Sequence, residues 1–203
     1  MKKIALFGIV SIATISVTMA IIVGKKMDSF RMKSFTLKST DITTVFGIEN
    51  FGNSSGGCSG GNKSPQLSWE NPPSETKSFA ITMIDINAFG PNIPFDHWLV
   101  INIPATCNSL VKDAGNASGA NLPTGASQTP NGAYPNYVKN PDFVKAYAGV
   151  CPNVGKTNQY EITVYALNVP SLNISTNANS TDVKAAIKAA TILSTKMKIT
   201  ASR

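Results

Sequence analysis

Residues 78–85 read SFAITMID and residues 97–103 read HWLVINI. In the first, Phe79, Ile81, Met83 and Asp85 fall on one face, and Ala80, Thr82 and Ile84 on the other. A period of two is the period of a strand, and apolar residues on both faces predict one that is half or fully buried. HWLVINI predicts a second strong strand. Asn158 to Leu167 predicts a third, with Tyr160, Ile162 and Val164 facing opposite to Thr163, Tyr165 and Leu167. Three strands of this quality set the fold class as mainly β.

The flanks agree with that class. Phe35 to Lys38 and Gln66 to Trp69 read as short strands, the latter ended by Pro72-Pro73. Residues 52–66 form a Gly/Ser/Asn loop. Residues 104–157 are long and turn-rich, with only Pro141 to Ala148 faintly helical. A connection of that length is usually functional or a family-specific elaboration. Ser180 or Thr181 can cap a helix through Val183, Ala186, Ile187 and Ala190. Lys196 to Thr200 reads as a final strand. No repeat and no compositional break follows residue 34, so the reading is one antiparallel β domain with a peripheral helix near the C-terminus.

Composition excludes several classes. The chain has 203 residues, 42% apolar and 14% charged, with 12 Pro, 15 Gly and 19 Asn. That is material for one ordinary domain rich in turns. It excludes a coiled coil, a collagen, a polytopic membrane protein and a disordered tail. The formal net charge is +7. Leaving out Lys2 and Lys3, sixteen Lys and Arg remain against eleven Asp and Glu, or +5. These are scattered, at Lys77, Lys112, Lys139, Lys145, Lys156, Lys184 and Lys188 among others, without interleaved aromatics. The pattern describes a solvated basic surface and not a nucleic-acid interface.

Met1-Lys2-Lys3 precedes an apolar stretch from Ile4 to Val23, with Thr18-Met19-Ala20 offering the small residues of a signal-peptidase site. The layout is that of a secretory signal. The stretch is also long enough to span a bilayer uncleaved. Lys25, Lys26, Arg31 and Lys33 follow it, a flank charge that opposes translocation. The expectation is export, with residues 1–24 a signal peptide or N-terminal anchor, 25–33 a linker and 34–203 the domain. No Cys near the end of the stretch offers a lipidation site. In an exported protein Cys58, Cys107 and Cys151 make one disulfide and one free thiol, and spacing leaves all three pairings open. No C-x-x-C occurs, so zinc and thioredoxin chemistry lack their spacing. Five Asn-x-Ser/Thr sites are the chance number for a chain so rich in Asn and Ser.

Candidate chemistry is sparse. G-x-S-x-G occurs twice, around Ser54 and Ser59, but inside the low-complexity loop and without the helix a nucleophile elbow requires. Gly56 to Ser64 misses a P-loop by one residue, because Asn62 separates Gly61 from Lys63. His97 is the only histidine, which excludes a His-rich metal site. Asp85 ends one predicted strand on its apolar face, and His97 begins the next. If the strands are neighbours, the two can meet at one end of a sheet. The pair could then favour an imidazolium that holds an anion, or form a structural hydrogen bond with no ligand. Trp69 and Trp98 read as core residues, or as one wall of a pocket.

The segment GCSGGNKSPQLSWENPPSETKSFAITMIDINAFG, followed by FDHWLVINIPAT, resembles the phosphatidylethanolamine-binding protein family, and its bacterial Raf kinase inhibitor-like branch more closely. Leu122-Pro123 with Gly125-Ala126, Gln128-Thr129, GVCPN and NQYEITVYAL extend the likeness, in order, over about residues 34–200. It implies a β-sandwich of antiparallel sheets with Greek-key connections and C-terminal helical structure. It also implies a non-enzymatic binding protein, without cofactor or metal. The pocket would take phosphate, phosphorylethanolamine or a similar polar group. Matched residue by residue, the pocket would draw on Asp85, Ala88, His97, Pro152 and Tyr160.

The departures bear on that pocket. Asn87 stands for a second Asp, Phe89 for a Pro, Asn153 for a Pro, and Asn158-Gln159 for His-Arg. Losing the second imidazole removes a charge-assisted donor, whereas Asn87 removes a negative charge. The likeness further implies a Cys58–Cys151 disulfide with Cys107 free. The family's other activity, modulation of proteases or kinases, gives an alternative: a protein-interaction module with a degenerate pocket, acting through residues 104–157. Either form would be periplasmic, secreted or held at the cell envelope, touching membrane only through its N-terminal segment.

Overall fold

The computed structural model describes residues 33–53, 56–91, 93–132 and 145–203. The chain divides into two units, Met1–Lys33 and Ser34–Arg203. The apolar stretch Ile4 to Val23 lies outside the described residues. No helix among the described residues is long and apolar enough to cross a membrane.

Two antiparallel sheets make up Ser34–Arg203. Strands β1 (Thr36–Lys38), β2 (Leu67–Glu70) and β5 (Ser109–Leu110) form the smaller, in the order β1-β2-β5. The larger has the order β6-β4-β3-β7-β8, from β3 (Ser78–Asp85), β4 (Phe95–Pro104), β6 (Ser127–Gln128), β7 (Thr157–Leu167) and β8 (Thr191–Ser202). β7 returns to lie beside β3 and not beside β6, the Greek-key arrangement. The three predicted strong strands are thus the centre of the larger sheet.

The alternation in β3 explains its burial on both faces. Phe79, Ile81 and Met83 point into the sandwich core, against Phe35, Leu67, Trp69 and Leu110 from the smaller sheet side. Ala80, with Leu99, Ile101 and Leu167, faces the other way and is covered by helix α1 (Ser180–Ala190) through Val183, Ile187 and Ala190. Strict alternation in β4 would put Asn102 into the core with Trp98 and Val100. A register shift opposite Phe79/Ile81 prevents this. Asn102 takes φ 60°, its Oδ1 accepts from Leu172 N at 2.7 Å, and Ile103 enters the core instead. Asn tolerates that left-handed conformation, and such bulges re-aim side chains.

Several boundaries differ from the sequence reading. β8 is 12 residues long, not five, because Thr191 follows α1 directly and pairs with β7 over its whole length. The helix is capped by neither Ser180 nor Thr181. Asn179 Oδ1 accepts from Asp182 N at 2.9 Å, while Ser180 turns inward and donates to the Gly132 carbonyl at 3.0 Å. Within 104–157 the two-residue strands β5 and β6 carry no periodicity that a sequence could display. Of the faint helix over Pro141 to Ala148, residues 141–144 lie outside the described residues and 145–148 are irregular.

The glycine-rich loop is explained by close packing. Gly60 N donates to Gly52 O at 2.7 Å and Gly61 N to Ile48 O at 3.2 Å. A Cβ on Gly60 would collide with the carbonyls of Phe51 and Ile48, and one on Gly149 with the backbone of Gly52. The composition that mimics a hydrolase or a P-loop is therefore a steric requirement of backbone on backbone. Ser54 lies outside the described residues, and Ser59 makes no hydrogen bond to His97. Cys58 and Cys151 are joined by a disulfide across a separation of 93 residues, and Cys107 is free.

Candidate functional site

The register of the larger sheet brings Asp85, His97 and Tyr160 to one end. Asp85 is opposite Tyr160 on β7 and opposite Phe95 on β4, two residues before His97. All three are buried, at 3%, 6% and 0% exposure. The rings stack edge-on in series: Phe95 to His97 at 4.8 Å, His97 to Tyr160 at 5.3 Å, and Tyr160 to Phe46 at 5.3 Å.

The polar contacts differ from a simple Asp–His pair. No hydrogen bond joins Asp85 to His97. Instead Asp85 Oδ1 accepts from Asn87 N at 3.0 Å, and Oδ2 accepts from Asn158 Nδ2 at 2.7 Å. His97 Nδ1 lies 2.6 Å from the Ala148 carbonyl, so the proton sits on Nδ1 and Nε2 is left with a lone pair in the neutral ring. Tyr160 Oη is buried close to Asp85 and Asn158 but makes no well-formed hydrogen bond. A buried hydroxyl left in that state costs about 1–3 kcal/mol.

Burial governs the charge state. It lowers the His97 pKa, against the raising effects of the Ala148 carbonyl and of the Asp85 and Asp96 charges. The imidazolium expected from a neighbouring carboxylate therefore gives way to a neutral ring, because desolvation outweighs the attraction. Burial, then the Asp85 charge, raises the Tyr160 phenol well above its usual range. A depressed imidazole pKa has a stability consequence. The unfolded chain binds the proton first, so stability is whole above about pH 6.5 and drains as pH falls toward the folded value. Thermal midpoints across a neutral-to-acid series should fall through that window. In His97→Gln the slope there should flatten, and an unchanged slope would refute the assignment.

Beside this cluster lies a cleft of about 730 Å³, lined by the turn Asn87 to Pro91 and by Asn153, Lys156, Thr157 and Asn158. Lys156 is the one charged residue in that lining among the described residues. Two asparagines tie the cleft to the buried cluster. Asn158 lines it and donates to Asp85, and Asn87 Oδ1 accepts from Gln159 N at 2.9 Å. Asn158, standing where the resemblance implies a second imidazole, thus donates to the buried carboxylate.

Of the sequence-predicted site residues, Asp85, His97 and Tyr160 come together, and Ala88 lines the cleft. Pro152 is buried, adjacent to Cys151, and does not line this cleft. Sequence reasoning missed Lys156, which read as one scattered charge among many. It also missed Ala148, whose contribution is a backbone carbonyl and leaves no trace in residue type.

Residues 39–202 match the family model described as phosphatidylethanolamine-binding protein. UPF0098 protein YbcL of Escherichia coli K12 is 37% identical over 158 residues, 74% of this chain and 75% of that protein. UPF0098 protein YbhB of the same organism is 34% identical over 128 residues, 61% of this chain and 71% of that protein. The crystal structure of Escherichia coli YbcL superposes with a TM-score of 0.75 at 32% identity, covering 84% of this chain and 99% of that one. A phosphatidylethanolamine-binding protein homologue, CT736 of Chlamydia trachomatis, shares the fold, with a TM-score of 0.65 at 20% identity over 84% and 98% of the two chains. With the sheets, the C-terminal helix and the ordered motifs in agreement, the chain belongs to the phosphatidylethanolamine-binding protein family.

Proposed function

We propose that this is an exported, non-enzymatic binding protein of the bacterial Raf kinase inhibitor-like branch. Its site would take a small phosphate- or phosphorylethanolamine-type group. Residues 1–24 would act as signal or anchor and 25–33 as linker, which places the domain in the periplasm, at the envelope or outside the cell. The observation that carries the reading is the buried Tyr160 hydroxyl, which lies near Asp85 and Asn158 without a well-formed hydrogen bond, beside a histidine whose tautomer the Ala148 carbonyl fixes. A ligand oxygen would satisfy the hydroxyl. A ligand O–H would satisfy Nε2, as would a proton taken up on binding.

Calorimetric titration of the protein with phosphate and with phosphorylethanolamine at low salt tests this. Binding should be saturable and should be lost in His97→Ala. Under mildly alkaline conditions, where phosphate is a dianion, binding should take up a proton, read as a heat that changes with the buffer's ionisation enthalpy. No saturable heat from a folded protein would reject these ligands.

A second reading, partner binding through a degenerate pocket, draws on Phe89 and Val154. They are 54% and 77% exposed, in the turn and the segment that form the cleft walls. Exposed apolar side chains around a polar cleft suit a protein surface. Pull-down without a partner, alongside clear ligand binding, would count against it.

A further inference from the structure

The guanidinium of Arg203 lies on the Cys58–Cys151 disulfide. Nη1 is 3.0 Å from Cys58 Sγ and 3.2 Å from Cys151 Sγ, and donates to the Gly56 carbonyl at 2.6 Å. Nε is buried without a hydrogen-bond partner. Among the described residues no carboxylate pairs with this cation. Its backbone is equally committed: Arg203 N donates to Lys156 O at 3.1 Å, and Gly155 N donates to Arg203 O at 2.5 Å. One residue therefore joins the disulfide, the Gly56 loop and the 153–156 turn that walls the cleft.

A disulfide sulfur is a weak acceptor and a poor partner for a full positive charge. A thiolate is a good one. A fixed cation beside a cysteine lowers its thiol pKa, and a sulfur of lower pKa leaves faster in thiol–disulfide exchange. Both cysteines are partly exposed. We propose that Cys58–Cys151 is an exchangeable redox site, activated by Arg203, and not an inert cross-link.

The reaction balances with an external dithiol as reductant. One reductant thiolate attacks Cys151 Sγ, the S–S bond breaks, and Cys58, nearer the guanidinium, leaves as the thiolate. The second reductant thiol then attacks the mixed disulfide and releases Cys151. Two electrons pass to the protein, the reductant ends as a disulfide, and its two protons go to the cysteines or to solvent. Reduction unties Gly56–Cys58 from Cys151 and gives Arg203 new partners, so the 153–156 wall loses a tether. This coupling stands whatever ligand the cleft takes.

The test is reduction of the full chain by dithiothreitol at neutral pH, trapped by alkylation and read by intact mass. Arg203→Gln should slow reduction about tenfold, and Arg203→Lys should restore most of the rate. A variant that merely loosens the fold would be reduced faster, the opposite direction. An unchanged or faster rate in Arg203→Gln overturns the proposal. Hydrogen exchange of the oxidised and reduced protein reads the coupling. Amides at 153–158 should exchange faster after reduction, and equal protection would sever the cleft from the redox state.

Discussion

Lys184→Met should lower the free energy of unfolding by about 3 kcal/mol, a large share of a domain's total. Asp96 is fully buried on β4, and Lys184 on α1 reaches it with Nζ at 2.7 and 3.0 Å from its two oxygens. Lys184 keeps 32% of its side chain exposed, so it loses only part of its hydration. Asp96 loses all of it. Removing the lysine leaves a carboxylate in the interior with no counter-charge, which is the costly half of a buried pair. The double variant Asp96→Leu/Lys184→Met removes both halves and should recover most of the loss. Urea midpoints of the two variants decide the matter. A single-variant loss below about 1 kcal/mol would place the pair with surface ion pairs.

Trp98→Ala should cost about 4 kcal/mol, by the cavity and by a broken polar chain. Trp98 is fully buried and packs edge-on against Tyr147, with centroids 6.1 Å apart. Its indole N–H donates to Gln128 Oε1 at 2.6 Å, and Gln128 Nε2 donates to Asn116 O at 2.9 Å. Alanine empties the site and strands the Gln128 carbonyl. Trp69 provides the comparison, since its indole N–H is buried without a partner. Trp98→Phe should therefore destabilise more than Trp69→Phe. Equal denaturation midpoints for those two variants would mean the Gln128 bond contributes nothing net.

How far the sequence is legible depends on the range of each determinant. β3, β4 and β7 declare themselves because a buried strand repeats its chemistry every two residues. β5 and β6 do not, because two residues have no period and their place is set by partners far along the chain. Asn179 does not stand out as the cap in the sequence because Ser180, an equally good capping residue, follows it. Both tryptophans belong to the core, the packing alternative of the sequence reading. Within the site, Asp85, His97 and Tyr160 were legible as side-chain types. The bonds that decide their behaviour were not: Ala148 acts through its carbonyl, and Asn158 reaches Asp85 across 73 positions. The sign of the His97 shift depends on how deeply it is buried, which no residue pattern encodes. The disulfide pairing followed from family likeness, since spacing left three choices.

The position of β3 also sets an order of events. One of its edges is met by β4 after a short turn, the other only by β7, beginning at Thr157. A chain being synthesised from its N-terminus completes the β3–β4 hairpin long before β7, α1 and β8 exist. Through that interval Ala80, Leu99 and Ile101 lack Leu167 and the whole of α1, which cover them in the finished fold, whereas Phe79, Ile81 and Met83 already have Phe35, Leu67 and Trp69 to pack against. Long-range pairings of this kind are slow to close, and an apolar hairpin with an open edge is the species that aggregates. The half-made chain is thus the vulnerable one, and its safety depends on how quickly the last quarter follows.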